Sequence, residues 1–187
     1  MTVTFAISTC SFQVSGVTPE LQLADREWAT QAAIMLSRKT GTTISPAAAV
    51  AIADSVAPTT TEFATDYANG GVSGCAESNN CSISLADYIN FLTRLQITQA
   101  AIPASACTLA ADLRKYGLMT VVIGTPTPNL VNALVITGIT GNGTGSGSSV
   151  NLINTATGAL ASQSLESILV GVEAATAAGW PEFRQFP

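Results

Sequence analysis

The chain contains no histidine. Every mechanism that uses imidazole as base, acid or metal ligand is excluded, and with it Ser-His-Asp and Cys-His catalysis in their usual forms. Charge is also scarce, at 10% of residues, against about a quarter in ordinary globular chains. Seven basic residues stand against twelve acidic ones, a net charge of −5. With no basic patch in view to neutralise phosphates, a nucleic-acid partner is not expected. No apolar run reaches the roughly 18 residues of a membrane span. Met1–Ile7 is too short for a signal peptide and lacks a basic leading region. Any chemistry that survives these absences rests on a carboxylate, on Lys39 or Lys115, or on a cofactor, and no cofactor is expected.

What is present is a chain of 187 residues, enough for one domain with a sizeable core. Four cysteines occur: Cys10, Cys75, Cys81 and Cys107. Cys75 and Cys81 bracket GCAESNNC, a polar loop that a disulfide can close. Two readings stand: four unpaired thiols in a reducing compartment, or disulfides in an oxidising one. The even count, low charge and abundance of Thr and Ser favour the second, and so a secreted or extracytoplasmic location. No zinc or other metal site is expected, because C-x₂₋₄-C pairs and histidines are both missing.

The stretch DREWATQAAIMLSRKTG, Asp25–Gly41, reads as the central buried helix. Asp25 is a suitable N-cap. Arg38 and Lys39 suit the negative end of the helix dipole, and Gly41 suits the position just past the end. Trp28, Ala32 and Met35 fall at i, i+4 and i+7, and Ala29, Ala33 and Leu36 repeat the spacing one residue on. That makes a wide apolar face whose alanines allow close approach.

Around this helix the rest of the chain falls into two textures. Thr2–Phe12 alternates weakly and suits an edge strand, and Ser15–Leu23 an extended lead-in. Ser45 and Pro46 open a second helix that Pro58 ends. Thr61–Asn69 is a third, stopped by Gly70-Gly71. Ser84 opens LADYINFLTRLQI, with Leu85, Ile89, Leu92 and Gln96 on one face and Tyr88 and Leu95 beside it. Ser105–Tyr116 is the last helix of this half. Then strands take over: Leu118–Gly124, Leu130–Ile139 and Ser149–Asn154, the last two joined through Gly141–Gly147. That glycine-rich tip has no helix behind it, so it is a hairpin and not a phosphate-cradling loop. Leu165–Ala178 is a closing helix, and GWPEFRQFP a tail docked by its aromatics. Helices first and strands second give an α+β class.

Three stretches together resemble a family. REWATQAAIML places a Trp on a buried early helix. LRKYGLMTVVI runs from a helix through a Tyr-Gly step into an apolar strand. NALVITGITGNGTGSGSSVNLIN is a strand, glycine-rich hairpin and return strand. The combination is similar to the bacterial papain-like cysteine peptidases, in texture closest to the C39 and C70 groups, over about residues 20–155. The resemblance implies a two-lobed α+β domain spanning residues 1–187. Its helical lobe would cover about residues 1–116, and its antiparallel β lobe about 117–187.

The family's chemistry does not carry over with its pattern. The nucleophilic Cys position, just before Trp28, holds Glu27. The catalytic His position, just before Ala133, holds Asn132. The acid of the third position is absent, and Asn154 is the nearest polar residue. Gln22 is the candidate for the oxyanion-hole glutamine, one residue nearer to Glu27 than the pattern asks. A carboxylate at a helix start gains from the dipole but attacks amides poorly, and Asn132 cannot shuttle a proton. The resemblance therefore implies a pseudo-peptidase in which Glu27 and Asn132 meet at a closed former active site.

Rival readings of Glu27 are an ordinary first-turn acid and the general base of an unorthodox hydrolase. A relocated cysteine nucleophile would lack any histidine to activate it. Three functions follow. One is a module that binds a peptide segment or protein partner in a groove lined by Trp28, Glu27, Asn132 and the Thr125–Val131 loop. Another is a secreted effector or toxin component with a filled cleft and its working surface elsewhere. The third is a hydrolase that depends on Glu27.

Overall fold

The computed structural model describes residues 10–17, 26–56, 62–69, 83–124, 131–155, 157–177, 179–180 and 183–187. The expected strand at Thr2–Phe12 therefore lies largely outside the described residues. Its end is seen as β1, Phe12–Gln13. Four helices follow: α1 (Glu27–Thr40), α2 (Pro46–Val56), α3 (Glu62–Asn69) and α4 (Leu85–Arg94). After β2 (Thr98–Ala100) come α5 (Ala106–Tyr116), β3 (Met119–Gly124), β4 (Val131–Gly141), β5 (Ser148–Asn154) and β6 (Ala159–Ser164). The last elements are α6 (Leu165–Ala177) and β7 (Phe183–Gln185).

Local chemistry sets several of these ends. Ser45 Oγ accepts the Ala48 N–H at 3.2 Å. Ser84 Oγ accepts the Asp87 N–H at 3.1 Å, and Ser105 Oγ the Thr108 N–H at 3.2 Å. Each satisfies a donor that the first turn would otherwise leave bare. Gly41 closes α1 in the left-handed conformation, φ 71°, its N–H donating to the Ser37 carbonyl. The start of α1 departs from expectation. Asp25 lies outside the described residues, and the cap position is Arg26, whose side chain makes no capping bond. The Arg26 guanidinium instead donates to the Tyr67 and Ala68 carbonyls at the end of α3.

The strands form one antiparallel sheet in the order β2-β7-β3-β4-β5-β6, with β1 paired to β4 beyond the reach of β3. β4 is long enough to serve both neighbours on one edge. Its residues 131–136 pair with β3, and 138–139 with β1. The class is α+β, but helices and strands are mixed along the chain. β1 and β2 come from the helix-rich half, and α6 from the strand-rich half. The tail also differs from a merely docked segment: β7 inserts between β2 and β3 and so lies inside the sheet.

Trp28 through Leu36 are all buried, so α1 is enclosed on every side and not only on the expected face. On α4 the buried face is Tyr88, Phe91 and Leu92, continued by Leu95, with Ile89 turned outward at 37% exposure. That is one residue out of step with the expected Leu85, Ile89, Leu92 and Gln96 face. Helical and strand residues share one apolar core. A disulfide joins Cys10, ahead of β1, to Cys107 on α5 across 97 positions of sequence. In the chain-entropy view a loop of that size stabilises the fold by about 4–5 kcal/mol. Cys75 and Cys81 lie outside the described residues.

Candidate functional site

Glu27 is the first residue of α1 and the acid of its first turn. Beside it Trp28 is held at 2% exposure. Its ring meets Phe91 edge-on at 4.7 Å, with Tyr67 at 6.3 Å and Phe63 at 6.4 Å. Trp28 is thus the hub of an aromatic cluster that joins α1 to α3 and α4, and it is not presented to solvent as a ligand platform. A cavity of about 30 Å³ lies here, lined by Glu27, Trp28, Ile83, Tyr88, Val122, Val131, Ala133 and Trp180. Its volume is about that of one water molecule. Of the groove wall expected at Thr125–Val131, only Val131 is among the described residues.

The register of the sheet decides where Asn132 stands. Val122 pairs with Ala133, and Ile123 with Asn132. Side chains alternate between faces along a strand, and directly paired residues share a face. The paired Val122 and Ala133 line the cavity with Glu27, so Asn132, next along the strand, falls on the other face. That face carries α6: Ile123, the partner of Asn132, abuts Gly171, where an added Cβ would stand 2.9 Å from the Ile123 Cβ. Asn154 pairs with Leu134, two residues along from Asn132. Asn132 and Asn154 are therefore neighbours on the α6 face, and the structure does not bring either to Glu27. The Asn154 carbonyl accepts the N–H groups of Thr157 and Gly158, closing the turn from β5 to β6. Gln22 lies outside the described residues.

On the α1 face a buried polar cluster escapes sequence reading. The Tyr88 hydroxyl donates to Gln31 Oε1 at 2.8 Å, where α4 crosses α1. Thr120 and Arg184 stand opposite each other on β3 and β7, beside Tyr88. Burial pushes the Tyr88 phenol well above its ordinary pKa, an effect that the Arg184 guanidinium and the Thr120 hydroxyl partly offset. Burial likewise pushes Arg184 down. The one available signal was Arg184 itself, a lone cation amid the aromatics of the tail.

At the opposite end of α1 a groove of about 520 Å³ opens. Phe12–Ser15, Met35, Arg38, Lys39, the end of α5 from Leu113 to Leu118, Phe186 and Pro187 line it. Four of the chain's seven basic residues meet here, and no Asp or Glu side chain is in the lining. The low net charge suggested no basic patch, whereas the fold builds one from two helix ends. Three of the cations rest on rings. Lys39 Nζ is 4.0 Å from the Phe186 centroid, Arg114 Cζ 5.0 Å from that of Phe12, and Lys115 Nζ 4.5 Å from that of Tyr116. Lys115 also donates to the Tyr116 hydroxyl at 2.6 Å, which holds its pKa above the usual value.

Among the described residues no cluster of three or more Cys, Asp or Glu side chains could hold a metal. No helix there is long and apolar enough to cross a membrane. Comparison with models of known families, with curated proteins and with solved structures finds no match.

Proposed function

We propose that this chain is a non-catalytic interaction module, which recognises a peptide segment or protein partner. The observation that carries the reading is the β3–β4 register, which sets Asn132 on the α6 face while Glu27 opens α1 on the other. With no histidine in the chain, no imidazole stands at the nucleophile position of the resembled family to transfer a proton. The filling of the α1 N-terminus by Trp28 and its aromatic neighbours supports a working surface elsewhere. The large groove at the far end of α1 is the surface best formed for recognition, since cavities of about 300–1,000 Å³ are the usual size of ligand sites.

A hydrolase dependent on Glu27 is the competing account. It is tested by screening amide, ester and peptide substrates with the native chain and with Glu27→Gln. The expected result is no turnover above buffer for either. Turnover by the native chain that Glu27→Gln abolishes would overturn the proposal.

A further inference from the structure

We infer that the groove between the C-terminal ends of α1 and α5 binds an acidic peptide segment, with carboxylates spaced along an extended chain and apolar side chains between them. The inference rests on the interaction-module reading and names the chemistry of its partner.

Charge complementarity points to an anion. Arg38, Lys39, Arg114 and Lys115 are all exposed, and none has a carboxylate within ion-pair distance among the described residues. In a chain with twelve acidic residues, that segregation is not a by-product of general basicity. Asp112 is the nearest acid to act on Lys115, and its pull is the weakest of the influences there.

The surroundings select carboxylates over phosphates. Phosphate sites are typically built on helix N-termini, where bare N–H groups and the positive dipole end meet the ligand. Here two helices present their C-termini, each equivalent to about half a negative charge. A compact multivalent phosphate would feel both. A single carboxylate beside each cation carries less charge into that field than a phosphate does. The half-buried rings of Phe12 and Tyr116 give the lining an apolar component beside the cations. Phe12–Ser15 adds a run of backbone along one side, which suits an extended chain.

The test uses the full chain and two short labelled peptides, one alternating Glu with Leu and the other Gln with Leu, followed by fluorescence anisotropy at low salt. The Glu peptide should bind at least about tenfold more tightly than the Gln peptide, and more weakly as salt rises. The double variant Arg38→Gln, Lys115→Gln removes two exposed cations and should loosen the Glu peptide by about tenfold. Its thermal unfolding should stay near that of the native chain. Equal binding of the two peptides would overturn the inference. So would tighter binding of pyrophosphate or of a single-stranded oligonucleotide, or a double variant that folds and binds like the native chain. Mass analysis of the incubated peptide separates the two claims. Cleavage defeats the non-catalytic reading, whereas an intact peptide that does not bind defeats only this inference.

Discussion

Trp28 shows how one residue type at one spacing serves two accounts. A Trp beside the former nucleophile position suggests a wall of a binding groove, and the same Trp at i, i+4 and i+7 with Ala32 and Met35 suggests core. The structure places it in the core, against Phe63, Tyr67 and Phe91. Trp28→Ala should therefore cost about 3–5 kcal/mol of unfolding free energy in a urea titration. A groove residue would change stability by no more than about 0.5 kcal/mol. Tyr88 gives a prediction in pH. Its folded pKa is raised by burial, so the folded state keeps a proton that the unfolded state releases near pH 10. The stability it contributes is full below about pH 10 and is lost as pH rises towards the folded value, by up to about 1.4 kcal/mol per pH unit. Tyr88→Phe should remove most of that alkaline slope, and an unchanged slope would show that another group sets it. Neither Gln31 nor Arg184 was legible as a partner of Tyr88, because long-range pairing of polar residues leaves no periodic trace.

At the scale of elements, the sequence spoke clearly where a run was long and capped. Ser45 and Ser84 were legible as helix openers because a hydroxyl before a helix can accept a bare first-turn N–H; Ser105, read as the first helical residue, caps α5 in the same way. β3, β4 and β5 were legible as apolar runs separated by Pro- and Gly-rich turns. β2 and β7, at three residues each, are too short for any period to register. β6 was missed because the first four of its six residues are exposed and it carries no apolar run. Its outer edge is the end of the sheet. The one-residue displacement of the α4 face has a physical cause. Tyr88 and Phe91 are drawn inward by Gln31 and Trp28, which outweighs the regular spacing of Leu85 and Ile89 with Leu92; Leu92 belongs to both faces and stays buried. The seating of α6 on β3 is a property of the pair that no single stretch reveals. Gly171 lets the helix approach Ile123, so Gly171→Val should force the two apart and cost about 1–3 kcal/mol. A variant as stable as the native chain in thermal unfolding would show that α6 is not held against β3 there.

Across the whole molecule, the α+β class was legible, although the helices-then-strands order behind it is mixed in the structure, and the pairing order and the faces of the sheet were not legible. The candidate site suffers most from this. Sequence spacing placed Glu27 and Asn132 at matching family positions, but which face Asn132 takes is fixed by the register of β4 against β3, and a shift of one residue reverses it. The groove was hidden for a related reason: Arg38, Lys39, Arg114 and Lys115 form two separate pairs in sequence and become one lining only when α1 and α5 converge. Glu27 and Asn132, the positions matched to the resembled family's nucleophile and base, stand on opposite faces of the sheet. The most direct test is a double-mutant cycle of Glu27→Gln and Asn132→Ala, read by urea unfolding. Additive effects are expected, with a coupling energy within about 0.5 kcal/mol. A coupling above about 1 kcal/mol would mean that the two side chains meet, and would contradict that placement.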